Sequence, residues 1–491
     1  MRRDGRQEVG ASHTTFEAGR LAPGHPAEGR GCRITELLER NMAGTPRPGT
    51  VSTKQQRIAM LAKQNPAMSF TTLAHHIDLE WLREAYWRTR KDGAVGVDGQ
   101  TAEEYAANLE ANLQSLLNRA KSGTYEAPPV RRVHIPKGGS KTETRPIGIP
   151  TFEEKVLQRA VVMVLEAIYE QDFLDCSYGF RPGRSPHQAL ESLRDQLMAM
   201  NGGWILDVDV QKFFDTLDHS HLREFLRHRV RDGVLHRLIG KWLNAGVFED
   251  GCITHPEEGS PQGGVISPAL SNVYLHYVLD VWFERVVKPR MRGGACLVRF
   301  ADDFVMGFAC EDDAERVLEV LPKRFERYGL KLHPTKTRLV QFRRPHKWIT
   351  RRREGPFGGN GTFDLLGFTH YWARSRQGNW VVKRKTSRKR FTRALHTIYE
   401  WCRTHRHQPI CEQHQTLVQK LRGHYAYYGI TGNAEALRNF SFEVKRAWKK
   451  WLSRRSQRAY LDWPRFEAML KRYPLPLPTA IHSTYRPAAK Q

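Results

Sequence analysis

Three short segments hold the residues most able to do chemistry. Trp204-Ile205-Leu206-Asp207-Val208-Asp209-Val210-Gln211-Lys212-Phe213-Phe214-Asp215 is an apolar strand that runs into acids and a Phe-Phe pair. Gly259-Ser260-Pro261-Gln262-Gly263-Gly264 is a loop leading into an apolar helix, and Val298-Arg299-Phe300-Ala301-Asp302-Asp303-Phe304-Val305-Met306 sets two adjacent acids between apolar strands. Ala-Asp-Asp in that setting predicts a hairpin tip holding carboxylates at a sheet edge. Adjacent carboxylates repel, so such a pair is held by cations or faces solvent. A third carboxylate from a neighbouring strand, Asp209, would complete a hard-oxygen site for two Mg²⁺ ions, which stabilise the attacking and leaving oxygens of a phosphoryl transfer. An Asp pair in a turn is by itself most often structural. The order acid-strand, Ser-Pro-Gln-Gly loop, Ala-Asp-Asp hairpin within residues 204–306 is far more specific. Phosphoryl transfer on a basic protein suggests a polymerase or a nuclease.

The protein is indeed basic. Its 78 Lys and Arg against 52 Asp and Glu leave a charge of +26 over 491 residues, which implies a polyanionic partner, nucleic acid by default. Apolar residues at 40% and aromatics at 10% are too many for a disordered basic tail. No apolar run approaches the length of a membrane span, and the N-terminus, MRRDGRQEVGASH, lacks the apolar core of a secretory signal. Seven scattered cysteines make no disulfide framework, so a reducing compartment, the cytoplasm, is expected. From 381 to 460 there are 19 Lys/Arg and 4 Asp/Glu, interleaved with Tyr399, Trp401, Tyr425, Tyr427, Tyr428, Trp448 and Trp451. An imbalance so long and so steep points to binding of a phosphate backbone rather than to an ordinary solvated helix face.

Patterning gives the scaffold around these segments. Residues 1–52, rich in Gly, Pro, Arg, Ser and Thr, read as a mobile tail. A helical pattern runs from Lys54 to about Arg90, with Ile58, Leu61, Leu73, Ile77 and Leu82 as its apolar positions, and a second from Thr101 to Lys121. Residues 130–150 predict two short strands around a Gly-rich basic turn, and Phe152–Gln171 a long apolar helix. Residues 203–310 alternate strands and helices.

The series resembles the palm of a reverse transcriptase, and in detail the reverse transcriptase/maturase encoded by bacterial group II introns, over roughly residues 54–460. Gly96-Val97-Asp98-Gly99, Ile135-Pro136-Lys137, Arg145-Pro146-Ile147-Gly148-Ile149-Pro150 and Tyr178-Gly179-Phe180-Arg181-Pro182-Gly183-Arg184 resemble that family's finger motifs. Gly329-Leu330-Lys331-Leu332-His333-Pro334-Thr335-Lys336-Thr337 and Phe363-Asp364-Leu365-Leu366-Gly367-Phe368 resemble its last palm blocks, and Leu421-Arg422-Gly423-His424-Tyr425-Ala426-Tyr427-Tyr428-Gly429 the core of its maturase thumb. The resemblance implies Asp209 and Asp302 as principal Mg²⁺ ligands, with Asp303 as the accompanying acid and the Val210 carbonyl as a further ligand. It implies Phe214 as the gate against a ribose 2′-OH and Gln262 as the residue against the incoming nucleotide. Lys137 and Arg145 match residues that neutralise the triphosphate, and Lys336 a lysine near the leaving pyrophosphate, a candidate general acid. Phe300 departs from the family's usual Tyr, losing a hydroxyl but keeping the ring; His333 replaces a frequent Asn.

The expected architecture is α+β: a right-hand polymerase with fingers and an antiparallel palm sheet over 53–375, then an α-helical thumb/maturase domain over 376–458. Arg422, Lys445, Arg446, Lys449 and Lys450 are the thumb cations expected to bind RNA. Residues 459–491 read as a short tail that could touch DNA, with no Cys and hence no HNH endonuclease. Cys402, His405, His407, Cys411 and His414 lack the tight spacing of a structural zinc site and read as ordinary helix residues. The resemblance implies RNA-templated DNA synthesis joined to binding of the host intron RNA, which assists splicing and retrohoming, with target DNA and dNTPs as further partners and a monomer or homodimer as the working unit. The alternatives are a splicing-only maturase, or a retron, diversity-generating or defence-type reverse transcriptase. The thumb block and the long fingers disfavour the latter.

Overall fold

The computed structural model describes residues 50–136, 144–249, 252–254, 263–345, 361–456 and 458–482. Nearly all of the expected N-terminal tail lies outside them. The chain first forms α1 (Val51–Gln64), α2 (Leu79–Arg88), α3 (Ala102–Ala107), α4 (Leu109–Ser122), β1 (Val130–Pro136), β2 (Thr144–Ile149), α5 (Phe152–Tyr169) and α6 (Pro186–Ala199). Next come β3 (Gly202–Val208), β4 (Val210–Gln211), α7 (His219–Arg227), α8 (Gly233–Leu243), β5 (Val247–Glu249), β6 (Cys252–Thr254) and α9 (Ser267–Leu275). Then follow β7 (Ala295–Phe300), β8 (Asp303–Phe308), α10 (Glu311–Glu326), β9 (Lys331–Leu332) and β10 (Arg338–Arg343). Last are β11 (Phe363–Leu365), β12 (Phe368–Arg374), β13 (Trp380–Thr386), α11 (Arg388–Thr404), α12 (Ile410–Tyr428), α13 (Ala434–Leu452) and α14 (Trp463–Arg472).

The helical pattern expected from Lys54 to Arg90 is two helices. Pro66 drives Asn65 out of the helical region, ending α1. The chain then makes a 3₁₀ turn at Ala74–His76 before Asp78 caps α2 by accepting from the Trp81 N–H at 3.0 Å. The stretch from Thr101 likewise divides at Asn108 into α3 and α4. α1 and α2 pack on α5, whose Val156, Leu157, Ala160, Val161, Met163 and Val164 are fully buried.

The sheet that carries the acids is antiparallel, ordered β10-β3-β8-β7. Strand alternation gives it two apolar faces. Leu206, Val208, Phe304 and Met306 join the core built with Tyr274 of α9 and Leu321 and Phe325 of α10. Ile205, Val298, Val305 and Phe342 join a second core with Leu190, Leu193 and Leu197 of α6 and the β11-β12-β13 sheet. A third core, around Cys402, Leu421, Phe440, Val444, Trp448 and Phe466, belongs to α11–α14.

Two expected boundaries therefore move. Residue 376 falls inside the β12–β13 hairpin, where Arg374 pairs with Trp380, so the helical segment starts at Arg388. Residues 463–472 of the expected tail form α14, whose fully buried Phe466 packs edge-on to Trp448. Among the described residues no helix is long and apolar enough to cross a membrane.

Candidate active site

The expected hairpin forms. Phe300 pairs with Asp303, leaving Ala301 and Asp302 as its two-residue tip, with Ala301 at φ +57°. Val208 pairs with Phe304, so Asp209, one residue beyond β3, reaches the same end of the sheet as Asp302 and Asp303. Asp209 is held there by its own backbone: its carbonyl accepts from His333 N–H at 2.8 Å, and Val210 pairs with Leu332.

The three carboxylates feel one another. Surrounding protein, then repulsion from Asp302 and Asp209, pushes Asp303 up to about 6, against the pull of Arg390. Asp303 nevertheless keeps surface open to solvent. Asp302 is also raised, by burial and by Asp209, with Arg145 and Arg299 opposing. An oxygen-only donor set in which burial and a neighbouring carboxylate raise Asp302 and Asp303 fits a hard divalent cation. As placed, Asp209 turns its Oδ2 to Lys336 Nζ at 2.8 Å, and among the described residues no three acidic, His or Cys side chains converge tightly enough to hold an ion.

The hairpin tip is anchored by a residue to which sequence reading gives no role. Arg299 is fully buried, and its five N–H groups are all used. Nε and Nη2 donate to Asp280 Oδ1 and Oδ2 at 2.8 and 2.6 Å, Nη2 also to Ser177 Oγ at 2.7 Å, and Nη1 to Asn272 Oδ1 and the Ala301 carbonyl, both at 3.0 Å. Asn272 in turn donates to the Gly179 carbonyl at 2.7 Å. A Cβ on Gly179 would stand 2.3 Å from Ala301 N, so the Tyr178–Arg184 motif packs backbone to backbone against the tip. A charged residue inside an apolar strand and Asp280 inside an apolar helical run were the available signals. A further pair, Arg338 to Asp207 Oδ2 at 3.1 Å, ties β10 to β3 just behind Asp209.

Lys137 and Gln262 lie outside the described residues. The backbone immediately after Gln262 is held from two sides. Gly263, at φ +114°, sits so that a Cβ would meet the Gly148 carbonyl of β2 at 2.5 Å. Ile266 N–H donates to Gln158 Oε1 at 3.2 Å, while Gln158 Nε2 donates to buried Glu154 at 2.9 Å. Burial pushes Glu154 up to about 8. Arg145, exposed on β2, is near enough for its charge to act on Asp302. Phe213 enters the core, whereas Phe214 stays half-buried beside it, with ring centroids 5.3 Å apart.

The helical segment is tied to the β11-β12-β13 sheet and to α6, and Arg390 of α11 is near enough for its charge to act on Asp303. Tyr427 Oη donates to the Leu366 carbonyl at 2.8 Å, and His187 of α6 is 2.8 Å from the Tyr427 carbonyl. Buried Asn433 accepts from Thr386 N–H at 2.9 Å and donates to Thr386 Oγ1 and the Tyr428 carbonyl, both at 2.8 Å. Of the expected RNA-binding cations, Arg422, Arg446 and Lys450 are exposed, and Lys445 and Lys449 half-exposed. Cys402 is buried, His405 stacks on Trp401, and His414 Nε2 is 2.9 Å from the Pro474 carbonyl.

Residues 135–370 match the family model of the reverse transcriptase (RNA-dependent DNA polymerase). Protein YkfC of Escherichia coli is 37% identical over 249 residues, 49% of this chain and 65% of that protein. The group II intron-encoded protein LtrA of Lactococcus lactis is 36% identical over 227 residues, 45% of this chain and 37% of LtrA. A mitochondrial nuclear intron maturase 1 of Arabidopsis thaliana is 31% identical over 83 residues, 17% of this chain and 11% of that protein. The chain thus spans less than two thirds of the length of each of these relatives. It carries a reverse transcriptase domain related to those of group II intron-encoded proteins.

Proposed function

We propose that this chain, with its reverse transcriptase domain of the group II intron-encoded kind, is an RNA-directed DNA polymerase that also binds its host intron RNA, assisting splicing and retrohoming in the bacterial cytoplasm. The observation that carries this reading is the arrival of Asp209, Asp302 and Asp303 at one end of β3 and β8 inside the segment that matches the reverse transcriptase model. Asp209 and Asp302, with Asp303 and the Val210 carbonyl, would hold two Mg²⁺ ions. Bound there, these supply positive charge to the attacking and leaving oxygens.

The remaining roles belong to the chain's own side chains. Arg145 and Lys137 bind the triphosphate and offset its charge. Phe214 occupies the space a ribose 2′-OH needs, and Gln262 lies against the nucleotide. As the primer 3′-hydroxyl gives up its proton to water and its oxygen displaces pyrophosphate from the α-phosphorus, Lys336 leaves Asp209 and gives a proton to the departing group. Arg422, Lys445, Arg446, Lys449 and Lys450 hold the intron RNA through its backbone. Target DNA and dNTPs complete the partners, with a monomer or homodimer as the working unit. The test is extension of a DNA primer on an RNA template with dNTPs and Mg²⁺. Extension that a chelator stops is the expected result; RNA binding without extension in Mg²⁺ or Mn²⁺ would leave a splicing-only protein.

A further inference from the structure

One surface of the helical segment combines exposed rings with cations. On α13, Phe440, Val444, Ala447 and Trp448 face the core, which turns Phe442, Arg446 and Lys449 outward in a stripe at helical spacing. Phe442 is 54% exposed, Trp463 at the start of α14 is 42% and Tyr460 is 73%, so these three large rings are left where a soluble surface would bury or omit them. The Phe442 and Trp463 rings are parallel within 4°, with centroids 6.5 Å apart. Lys449 Nζ lies 5.1 Å from the Trp463 ring and 5.8 Å from that of Tyr460, and the Arg446 guanidinium lies 5.8 Å from Phe442. Trp463 is fixed from below by edge-on packing on the buried Phe466 at 5.8 Å, and Asp462 caps α14 by accepting from Arg465 N–H at 2.9 Å.

We propose that Phe442, Tyr460 and Trp463 form a platform on which unpaired bases of RNA stack, with Lys449 and Arg446 taking the adjoining phosphates. A duplex offers only its backbone to such a surface, because its bases are stacked inside. A single strand offers π-faces and phosphates together, which matches rings and cations alternating on one face. A protein partner would be met by the rings but not by the excess of positive charge, which is +15 between residues 381 and 460. The choice of RNA over DNA as occupant rests on the RNA-binding role proposed above.

The test is titration of a short labelled oligo(rU), oligo(dT) of the same length and an RNA duplex, at several salt concentrations. Phe442→Ala/Trp463→Ala should weaken oligo(rU) binding about tenfold or more, the range expected for lost base stacking. Duplex affinity should change by no more than about twofold, and the slope of affinity against salt should stay the same, because no phosphate contact is removed. Phe442→Leu, which keeps an apolar side chain at an exposed helix position, should weaken oligo(rU) binding too, whereas Trp463→Phe should retain most of it. Equal weakening toward duplex and single strand, unchanged binding of oligo(rU), or binding of oligo(dT) without oligo(rU) would each overturn the proposal. Primer extension by the same preparations reports separately on the polymerase reading, so the two can fail independently.

Discussion

Arg299 is the side chain on which the geometry of the acids most depends, because one of its five donors holds the Ala301 carbonyl at the hairpin tip. Asp280 is its counter-charge, and both are fully buried. Asp280→Ala would leave a buried guanidinium without its counter-charge, at a cost of about 3–5 kcal/mol. Chemical denaturation should therefore show a marked drop in midpoint; a loss below about 1 kcal/mol would mean that the network is not coupled to folding. A second prediction concerns Phe214. Phe214→Ala should raise ribonucleotide use relative to deoxynucleotides about tenfold or more, as loss of a steric wall allows. Unchanged sugar choice would place the gate elsewhere. The meeting of Asp209, Asp302 and Asp303 at one sheet end is legible in the sequence, because residue type and order carry that signal. Arg299's network is far less legible: its partners Ser177 and the Asn272/Asp280 pair come from two distant stretches of chain, and nothing in the sequence joins them until the fold brings them together.

Among elements, α5 does more than fill the core. Its Glu154 and Gln158 pass a hydrogen-bond chain to Ile266 at the start of α9, just beyond the Ser-Pro-Gln-Gly loop. Burial raises Glu154 to about 8, so the folded protein keeps this proton at pH values where the unfolded chain, with an ordinary carboxyl near 4.5, has released it. The folded state thus loses stability as pH rises from about 4.5 toward 8, and the loss is complete above that range. Glu154→Gln removes the titration and keeps the acceptor. Its melting temperature should match the parent near pH 5 and exceed it by several degrees at pH 8 to 9, in thermal melts across that range. A constant offset would show that Glu154 does not titrate with folding. The β1–β2 hairpin, α5 and the β7–β8 hairpin are legible from periodicity and turn residues. The β12–β13 hairpin is not, because basic residues crowd it and its inward His370 and Arg384 interrupt the apolar alternation of Phe368, Trp372 and Val382. α14 is hidden for a related reason: among its residues only Phe466 is buried, too little for a periodic signal.

For the molecule as a whole, a charge of +26 is the property that most constrains what it binds. Cations on backbone phosphates release counterions, so affinity for intron RNA should fall log-linearly with salt. Replacing Lys445, Arg446, Lys449 and Lys450 together with Gln should flatten that slope by as much as about three to four units, if each makes one contact. An unchanged slope would move the footprint away from α13. Composition alone already points to a polyanion, but which faces carry the charge depends on how α11–α14 pack. The central claim is that the carboxylates at the end of β3 and β8 run RNA-templated DNA synthesis. It is tested most directly by comparing the parent and Asp302→Ala in Mg²⁺-dependent primer extension on an RNA template, with RNA affinity measured on the same preparations. Extension by the parent, its loss by several orders of magnitude in Asp302→Ala, and unchanged RNA affinity are the result expected when one ligand of a two-ion site is removed. Full extension by Asp302→Ala would contradict the account.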